Sequence, residues 1–415
     1  MLGRISNNAP DRRRTHRTLA AASRSLATES ISHPHAQHLP PPPPPSQAST
    51  RREAPRAHAD KPQPRPARPL RHPTLAHLPP TFGRNQILPV ADSTRALLES
   101  IVAQFNAPIR YAFAYGSGVF EQDGYRNEEK PMLDFMFAVT HAAHWHSINM
   151  NQFPGHYPLH ARVWAQEMTP GVWFNTLVPM EGVTIKYGVT TVDNMCSDLL
   201  NWRTLYLAGR MHKPIRIIKD DARVRLTQQV NLTSAVRTAL LTLPETFTQR
   251  ELFARIAGFS YAGDVRMALP GENRGKVTNI VSRQGDQFRE LYHRLVVALP
   301  GVHWPAHMES IQQDTSPHAR AAHLRKLPAD LLKGVTERYA SEVHPKEADE
   351  AVYWTRLAGD GKLPEVIDSE IRKLVRYSST VQSMKGVVSA GLVKSLRYSK
   401  EKVGKWWQSR GSGSS

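Results

Sequence analysis

Tyr111-Ala112-Phe113-Ala114-Tyr115-Gly116-Ser117-Gly118-Val119-Phe120, followed by Leu133-Asp134-Phe135-Met136-Phe137-Ala138-Val139, decides how this chain is read. Both runs are rich in aromatic and β-branched residues and are bounded by turn residues, so each predicts a strand. Between them stands Gly-Ser-Gly, where the absence of bulk lets backbone amides and one hydroxyl approach a phosphate closely. Asp134 supplies a hard oxygen donor of the kind that holds magnesium beside phosphates. Strand, small-residue turn and acidic strand together predict a pocket for a nucleoside triphosphate and Mg2+. Tyr115, Gly116, Ser117 and Gly118 would line its phosphate end, and Asp134 would hold the metal.

Working outward, residues 134 and 136 share one face of a strand, so a two-carboxylate metal site would place an acid at both. Position 136 is a methionine. Asp220 is the first choice for the second ligand because it ends a short strand predicted at 215–218, with Asp221, Asp123 and Glu121 behind it. The motif alone reads either as a nucleotidyltransferase site or as a tight βα turn beside a half-buried strand with a solvated aspartate.

The chain of 415 residues is long enough for two ordinary domains, and its 40% hydrophobic content suffices for sizeable cores. Its net charge of +18 is unevenly placed: residues 1–90 carry +10, residues 371–410 carry +9, and the body from 91 to 370 carries −1. A near-neutral body argues against gripping long stretches of nucleic acid, which takes many phosphate-neutralising side chains on the folded surface. Cys196 is the single cysteine, which excludes an intrachain disulfide and a multi-cysteine zinc site. It falls in an amphipathic helix beside Leu199, Leu200 and Trp202 and reads as a packed core thiol. No apolar run reaches the length of a transmembrane helix, so membrane contact would be peripheral.

Residues 1–30 are rich in Arg, Ser and Ala and poor in acids, the composition of a mitochondrial transit peptide; a plain basic tail is the alternative. The span 31–87, with consecutive prolines at 40–45, predicts a disordered linker. A nucleotidyltransferase domain of mixed α/β class is expected over 88–230, with a helix at 92–105, strands at 171–177, 182–190 and 215–218, and a helix at 193–208. From 231 to 370 the pattern turns helical. Thr233 is expected to cap one helix, and Thr248-Gln-Arg-Glu251 forms a capping box opening another, which suits a winged-helix-like domain. Residues 371–415 form a basic amphipathic segment. Apolar residues recur at 381, 384, 388, 392, 396, 403 and 406, with Lys385, Lys394, Arg397, Lys402 and Lys405 largely off that stripe and Trp406 and Trp407 at its end. That pattern suits a helix in the headgroup layer of an anionic bilayer, or one packed on the body with a solvated face.

Several cations are candidates for phosphate chemistry. Lys186, within the 182–190 strand, reads either as a group stabilising charge on reacting phosphates or as a strand-edge lysine. Arg274 and Lys276 precede a helix, where amides and two cations could bind phosphate. Lys213 and Lys219 flank the 215–218 strand and read more simply as surface charge. His141, His144, His146 and His156 match no standard zinc spacing and lack a cysteine partner; a loop over the nucleotide is the reading preferred for that segment.

The segments YAFAYGSGVFEQ (111–122), LDFMFAV (133–139), HWHSINMNQFPGHY (144–157), IKYGVTTVDNMCSDLLNWRTLYLAGRMHKPIRIIKDD (185–221) and GENRGKVTNIVSRQGDQFRELY (271–292) closely resemble the mitochondrial phosphatidate cytidylyltransferase family. Its members are also called mitochondrial translocator assembly and maintenance proteins. The likeness resumes in LVRYSSTVQSMKGVVSAG (374–391) and SLRYSKEKVGKWW (395–407). It implies a nucleotidyltransferase domain plus a winged-helix domain, dependence on Mg2+, CTP and phosphatidic acid as substrates, and peripheral attachment to the matrix face of the mitochondrial inner membrane. The His-Asn segment would then carry His144, His146, Asn149, Asn151, His156 and Tyr157 as a family signature. The likeness also favours phosphate binding by Arg274 and Lys276.

The residues suit that chemistry independently. A phosphomonoester is largely ionised near neutral pH, its second pKa being about 6, so no general base is required. The difficulty is bringing two polyanions together, which calls for metal, amides and cations: Asp134, Ser117 and Lys186 are the catalytic candidates. Two competing readings stand beside this one, an RNA-modifying nucleotidyltransferase and a non-catalytic scaffold for the import machinery in which Met136 marks a decayed site.

Overall fold

The structure is a computed structural model and describes residues 79, 81–116, 118–120, 132–158, 171–268, 275–340 and 349–385. All of them fall in one compact unit. The chain is of mixed α/β class: helix α1 (Asp92–Ala103), strands β1 (Tyr111–Tyr115) and β2 (Leu133–Val139), helix α2 (Ala142–Gln152), strands β3 (Trp173–Met180) and β4 (Val183–Thr191), helices α3 (Val192–Asn201) and α4 (Tyr206–Arg210), and strand β5 (Ile215–Lys219). These strands form one sheet in the order β3-β4-β2-β1-β5. The β2–β4 pair is parallel and the other pairs are antiparallel.

The sheet is buried on both faces, and strand alternation sorts its side chains between two cores. Ala112, Ala114, Phe135, Phe137, Ile185 and Tyr187 enter one core with Leu98 and Ile101 of α1. Tyr111, Phe113, Met136 and Ala138 enter the other, together with α3 and the long helix α5 (Ala222–Leu240). Gly188 permits this second face to close. A Cβ there would stand 2.6 Å from a ring carbon of Phe174 and 2.9 Å from the Met136 side chain. Met136 is therefore a fully buried packing residue.

After α5 come β6 (Thr246–Thr248), α6 (Gln249–Gly258), α7 (Lys276–Arg283), α8 (Gly285–Val297), β7 (Val302–His303), β8 (Ser310–Gln313), α9 (Pro317–Leu324), α10 (Ala329–Tyr339) and α11 (Glu350–Ala358). A second, three-stranded sheet has the order β6-β8-β7. The capping box at Thr248 forms as its sequence requires, with the Glu251 carboxylate accepting from Thr248 N at 2.7 Å. Residues 363–385 are helical (α12), and Leu363, Ile367, Ile371 and Val375 sink into the core they share with Phe113 and Val236.

Four expectations change. Helix α5 is capped at its start by Asp221, whose carboxylate accepts from Arg223 N and Val224 N. It therefore runs through the boundary expected at 230/231, and Thr233, rather than capping a helix, returns its hydroxyl to Gln229 O within one. The helix expected over 193–208 is broken after Asn201, where Trp202 and Leu205 adopt left-handed backbone. Ordered packing reaches back into the span expected to be linker: Asn85 donates to Leu291 O at 2.8 Å, and Gln86 to Arg225 O at 3.0 Å. The terminal segment begins inside the body, and Lys385, expected off the apolar stripe, is buried. Residues 1–78 and 386–415, which hold the expected transit peptide, most of the linker and the tryptophan pair, lie outside the described residues.

Candidate active site

One end of the larger sheet gathers most of the described sequence candidates. Tyr115, the last residue of β1, pairs with Asp134 on one side and Ile215 on the other, and Asp134 pairs in turn with Lys186. Asp134 and Lys186 point to the same face, their side chains each about a quarter exposed, with Asp134 Oδ1 3.6 Å from Lys186 Nζ. Burial would weaken the Lys186 amine as a base. The Asp134 carboxylate and the nearby Tyr115 and Tyr206 hydroxyls overcome this and hold its pKa above the ordinary lysine value. Gly116 turns the chain with φ +91°, a conformation that only glycine adopts without strain, and a Cβ there would lie 3.3 Å from Asp134 Oδ2. Gly118 follows in the same turn; Ser117 and the loop with Glu121 and Asp123 lie outside the described residues.

A row of aromatic rings and cations extends from this pair. Lys186 Nζ stands 4.9 Å from the centre of the Phe174 ring. The Arg210 guanidinium lies 4.8 Å from the ring centre of Tyr115, 4.7 Å from that of Tyr206 and 5.9 Å from that of Phe174, and its buried Nε has no hydrogen-bond partner among the described residues. Lys213 follows three residues later. Its Nζ donates to Gly209 O at 2.6 Å and Ser260 Oγ at 2.7 Å and lies 5.1 Å from the centre of the Tyr261 ring. Lys276, the first residue of α7, reaches the same ring at 5.4 Å. Arg274 lies outside the described residues.

The sequence reading missed Arg210 and treated Lys213 as surface charge. Both are set in place by a buried carboxylate it did not single out. Asp198 Oδ1 accepts from Thr204 N and Leu205 N, and its Oδ2 accepts from Leu207 N and Ala208 N, all between 2.8 and 3.1 Å. This satisfies the first amides of α4 and fixes the turn that ends in Arg210. Asn231 of α5 secures the other side, donating to Ala208 O and accepting from Trp202 Nε1.

Two assignments are corrected. Asp220 does not join Asp134. Because β5 runs antiparallel to β1, its start lies beside Tyr115 while Lys219, at its end, pairs with Ala112, about 10 Å away along the strand. Asp220 sits beyond that, ion-paired with Arg225. Among the described residues no group of three or more His, Cys, Asp or Glu side chains could hold a metal. Asp134 still suits magnesium, which commonly takes one or two protein carboxylates and completes its shell with substrate phosphate oxygens and water. Its Oδ2 faces the Gly116 turn, where such phosphates would lie.

The second correction concerns the His-Asn segment, which is helix α2 and a short turn packed on the far face of the sheet. Tyr187, whose side chain points opposite to that of Lys186, accepts from Asn149 Nδ2 at 2.9 Å and Asn175 Nδ2 at 2.8 Å, and its hydroxyl meets His156 Nδ1 at 2.9 Å. His146 and Tyr157 extend this network at 2.9 Å, and burial lowers the His146 pKa to about 4. His146, Asn149, His156 and Tyr157 thus form an interior polar cluster; His144 and Asn151 are exposed on the helix surface. Cys196 is buried and its thiol pKa is pushed up by burial to about 11, as expected of a core residue.

A family model described as "Phosphatidate cytidylyltransferase, mitochondrial" matches residues 98–405. Curated proteins of that name match along most of their length. The Xenopus laevis protein is 38% identical over 78% of this chain and 98% of its own, and that of Drosophila melanogaster 38% over 74% and 98%. The Schizosaccharomyces pombe protein is 37% identical over 77% and 85%. These likenesses, on a mixed α/β chain, define an enzyme of the nucleotidyltransferase class. The chain belongs to the mitochondrial phosphatidate cytidylyltransferase family.

Proposed function

We propose that this chain transfers CMP from CTP to phosphatidic acid, giving CDP-diacylglycerol and pyrophosphate. The observation that carries the reading is the Asp134–Lys186 pair beside the Gly116 turn. An oxygen of the phosphatidate phosphomonoester forms the new bond to the α-phosphorus of CTP. The bond between that phosphorus and the α–β bridging oxygen breaks, and pyrophosphate leaves with its electron pair. Gly116 and Ser117 would cradle the β and γ phosphates, with Tyr115 and Gly118 shaping the turn, and Lys186 would stabilise charge developing on the reacting groups. Asp134 would hold Mg2+, which supplies charge neutralisation for the triphosphate when bound. Arg274 and Lys276 would bind phosphate from across the site.

The names of the relatives support a mitochondrial protein. The finer reading is an enzyme attached peripherally to the matrix side of the inner membrane. No described helix is long and apolar enough to cross a membrane. Tyr377 and Met384, seven residues apart on α12, expose large apolar surface, with Arg376 and Lys373 exposed on the same helix, which supports contact with an anionic lipid surface. The small sheet β6-β8-β7 with α6–α8 supports a winged-helix-like arrangement after the nucleotidyltransferase layer.

Incubating the full chain with CTP, Mg2+ and phosphatidate liposomes tests the function. Formation of CDP-diacylglycerol and pyrophosphate is expected; CMP transfer only to RNA, or no transfer at all, would replace this reading with one of its competitors.

A further inference from the structure

Asp134 is a solitary carboxylate at the reactive end of the larger sheet. The next position on its face is the buried Met136, Asp220 is ion-paired with Arg225 elsewhere, and no group of three or more His, Cys, Asp or Glu side chains gathers there among the described residues. The one ionic partner of Asp134 among the described residues is Lys186, whose Nζ is 3.6 Å from Oδ1. Strand pairing fixes both backbones. Asp134 lies opposite Lys186, and two residues further on Met136 lies opposite Gly188, where the Phe174 and Met136 side chains close over the strand. Only the lysine side chain, with its flexible four-carbon stem, is left free to swing. Its Nζ also stands 4.9 Å from the centre of the Phe174 ring, a surface that tolerates an ammonium once the carboxylate is taken.

Mg2+ gives up water reluctantly and is held by one or two carboxylates together with substrate phosphate oxygens. A single carboxylate matched by an ammonium offers it little, because the lysine charge offsets that of the aspartate and repels a second cation at close range. A triphosphate reverses both effects. It gives the ammonium anionic oxygens to move to and supplies the oxygens that one carboxylate cannot. We infer that Lys186 is a placeholder on Asp134, which keeps the carboxylate from taking a divalent cation alone and yields it when the cation arrives with a nucleoside triphosphate. The inference rests on the reading of Asp134 as the metal ligand given above. Cation and nucleotide then enter as one complex, and the same event delivers the freed lysine to the phosphates whose charge it stabilises.

The test uses Mn2+, which takes the same oxygen ligands, titrated into the full chain with its free fraction followed by electron paramagnetic resonance. The proteins are wild type, Lys186→Met, Lys186→Arg, Asp134→Asn and the double variant Lys186→Met with Asp134→Asn. Without nucleotide, Lys186→Met should bind Mn2+ about tenfold or more tightly than wild type, Lys186→Arg should stay at the wild-type level because it keeps the charge, and the double variant should lose the gain. A lysine that merely supports β4 would create no metal site on removal. With CTP, followed by calorimetry, Mn2+ should tighten nucleotide binding to wild type by about tenfold or more, and Asp134→Asn should abolish that effect. Wild type that binds Mn2+ without nucleotide as tightly as Lys186→Met would overturn the inference, as would a gain that survives Asp134→Asn. Should Lys186→Met fail to fold, Lys186→Gln carries the same comparison. If Asp134→Asn leaves the Mn2+ effect on CTP binding unchanged, the metal assignment fails and the inference falls with it. The expected Mn2+ behaviour in a protein that makes no CDP-diacylglycerol would refute the proposed function while leaving the role of Lys186 standing.

Discussion

Asp134 and Lys186 are directly opposed residues on two parallel strands, and their charged ends meet at 3.6 Å on the sheet face that also presents Tyr115 and the Gly116 turn. Parallel pairing is the exception in this sheet, and it puts the two side chains in register at the same end. Each holds the other in a defined place. A substrate polyanion entering here would meet a preset cation and a carboxylate aimed at its counter-ion.

Replacing Asp134 by Asn keeps its size while removing its charge. Turnover should fall by about a hundredfold or more, as for loss of a preorganised electrostatic group, with the melting temperature little changed because the pair is partly solvated. Steady-state rates at saturating CTP and Mg2+, alongside thermal melts, check this. Retention of full turnover would remove Asp134 from the reaction.

Gly116→Ala should be damaging to activity out of proportion to its size. The new Cβ meets a left-handed backbone and lies 3.3 Å from Asp134 Oδ2, so strain of about 1–2 kcal/mol falls on the turn and the carboxylate together. Reduced CTP affinity in a protein that remains folded is the expected outcome, measured by calorimetry with circular dichroism as the control.

Asp198→Ala leaves the amides of residues 204, 205, 207 and 208 without their shared acceptor. The loss of stability should be about 3 kcal/mol or more, since several charge-assisted bonds to buried donors disappear at once. Chemical denaturation gives the magnitude. A variant that folds at low temperature should also lose activity, because Arg210 is carried by the helix these amides open.

Burial depresses His146 and His323 to a pKa of about 4 and His212 to about 3, against an ordinary value of 6.5. Protons then bind the unfolded chain more readily than the folded one. Stability from these groups is fully present above pH 6.5 and is lost as pH falls toward 4, by up to about 1.4 kcal/mol per pH unit for each histidine. Urea midpoints measured across that window for wild type and His323→Gln should show a shallower acid slope in the variant. Equal slopes would mean that His323 is not held neutral.

The strand–turn–strand unit and Lys186 were legible because alternation and a glycine-rich turn are local signals. Asp220 was misplaced because strand direction is decided by pairing, which residues 215–218 do not encode. Helix α2 was missed since its His and Asn residues give no clean apolar stripe, and its buried polar atoms find partners on β4 and in the following turn. Arg210, Lys213 and Asp198 were illegible as a group for a related reason. A buried cation or carboxylate is recognised by the partners that tertiary structure brings to it, and those come from α4, β1, β3 and the turn that follows α6.

Helix α5 lies in the same interior as Phe113 and Met136 of the sheet and as Phe288, Leu331 and Ile367 of the helices that follow. Cutting the gene near codon 230 would strip both products of their common wall and leave raw apolar surface on each. Shorter expression fragments would then precipitate, and a protease that nicked this helix would inactivate the enzyme in one event.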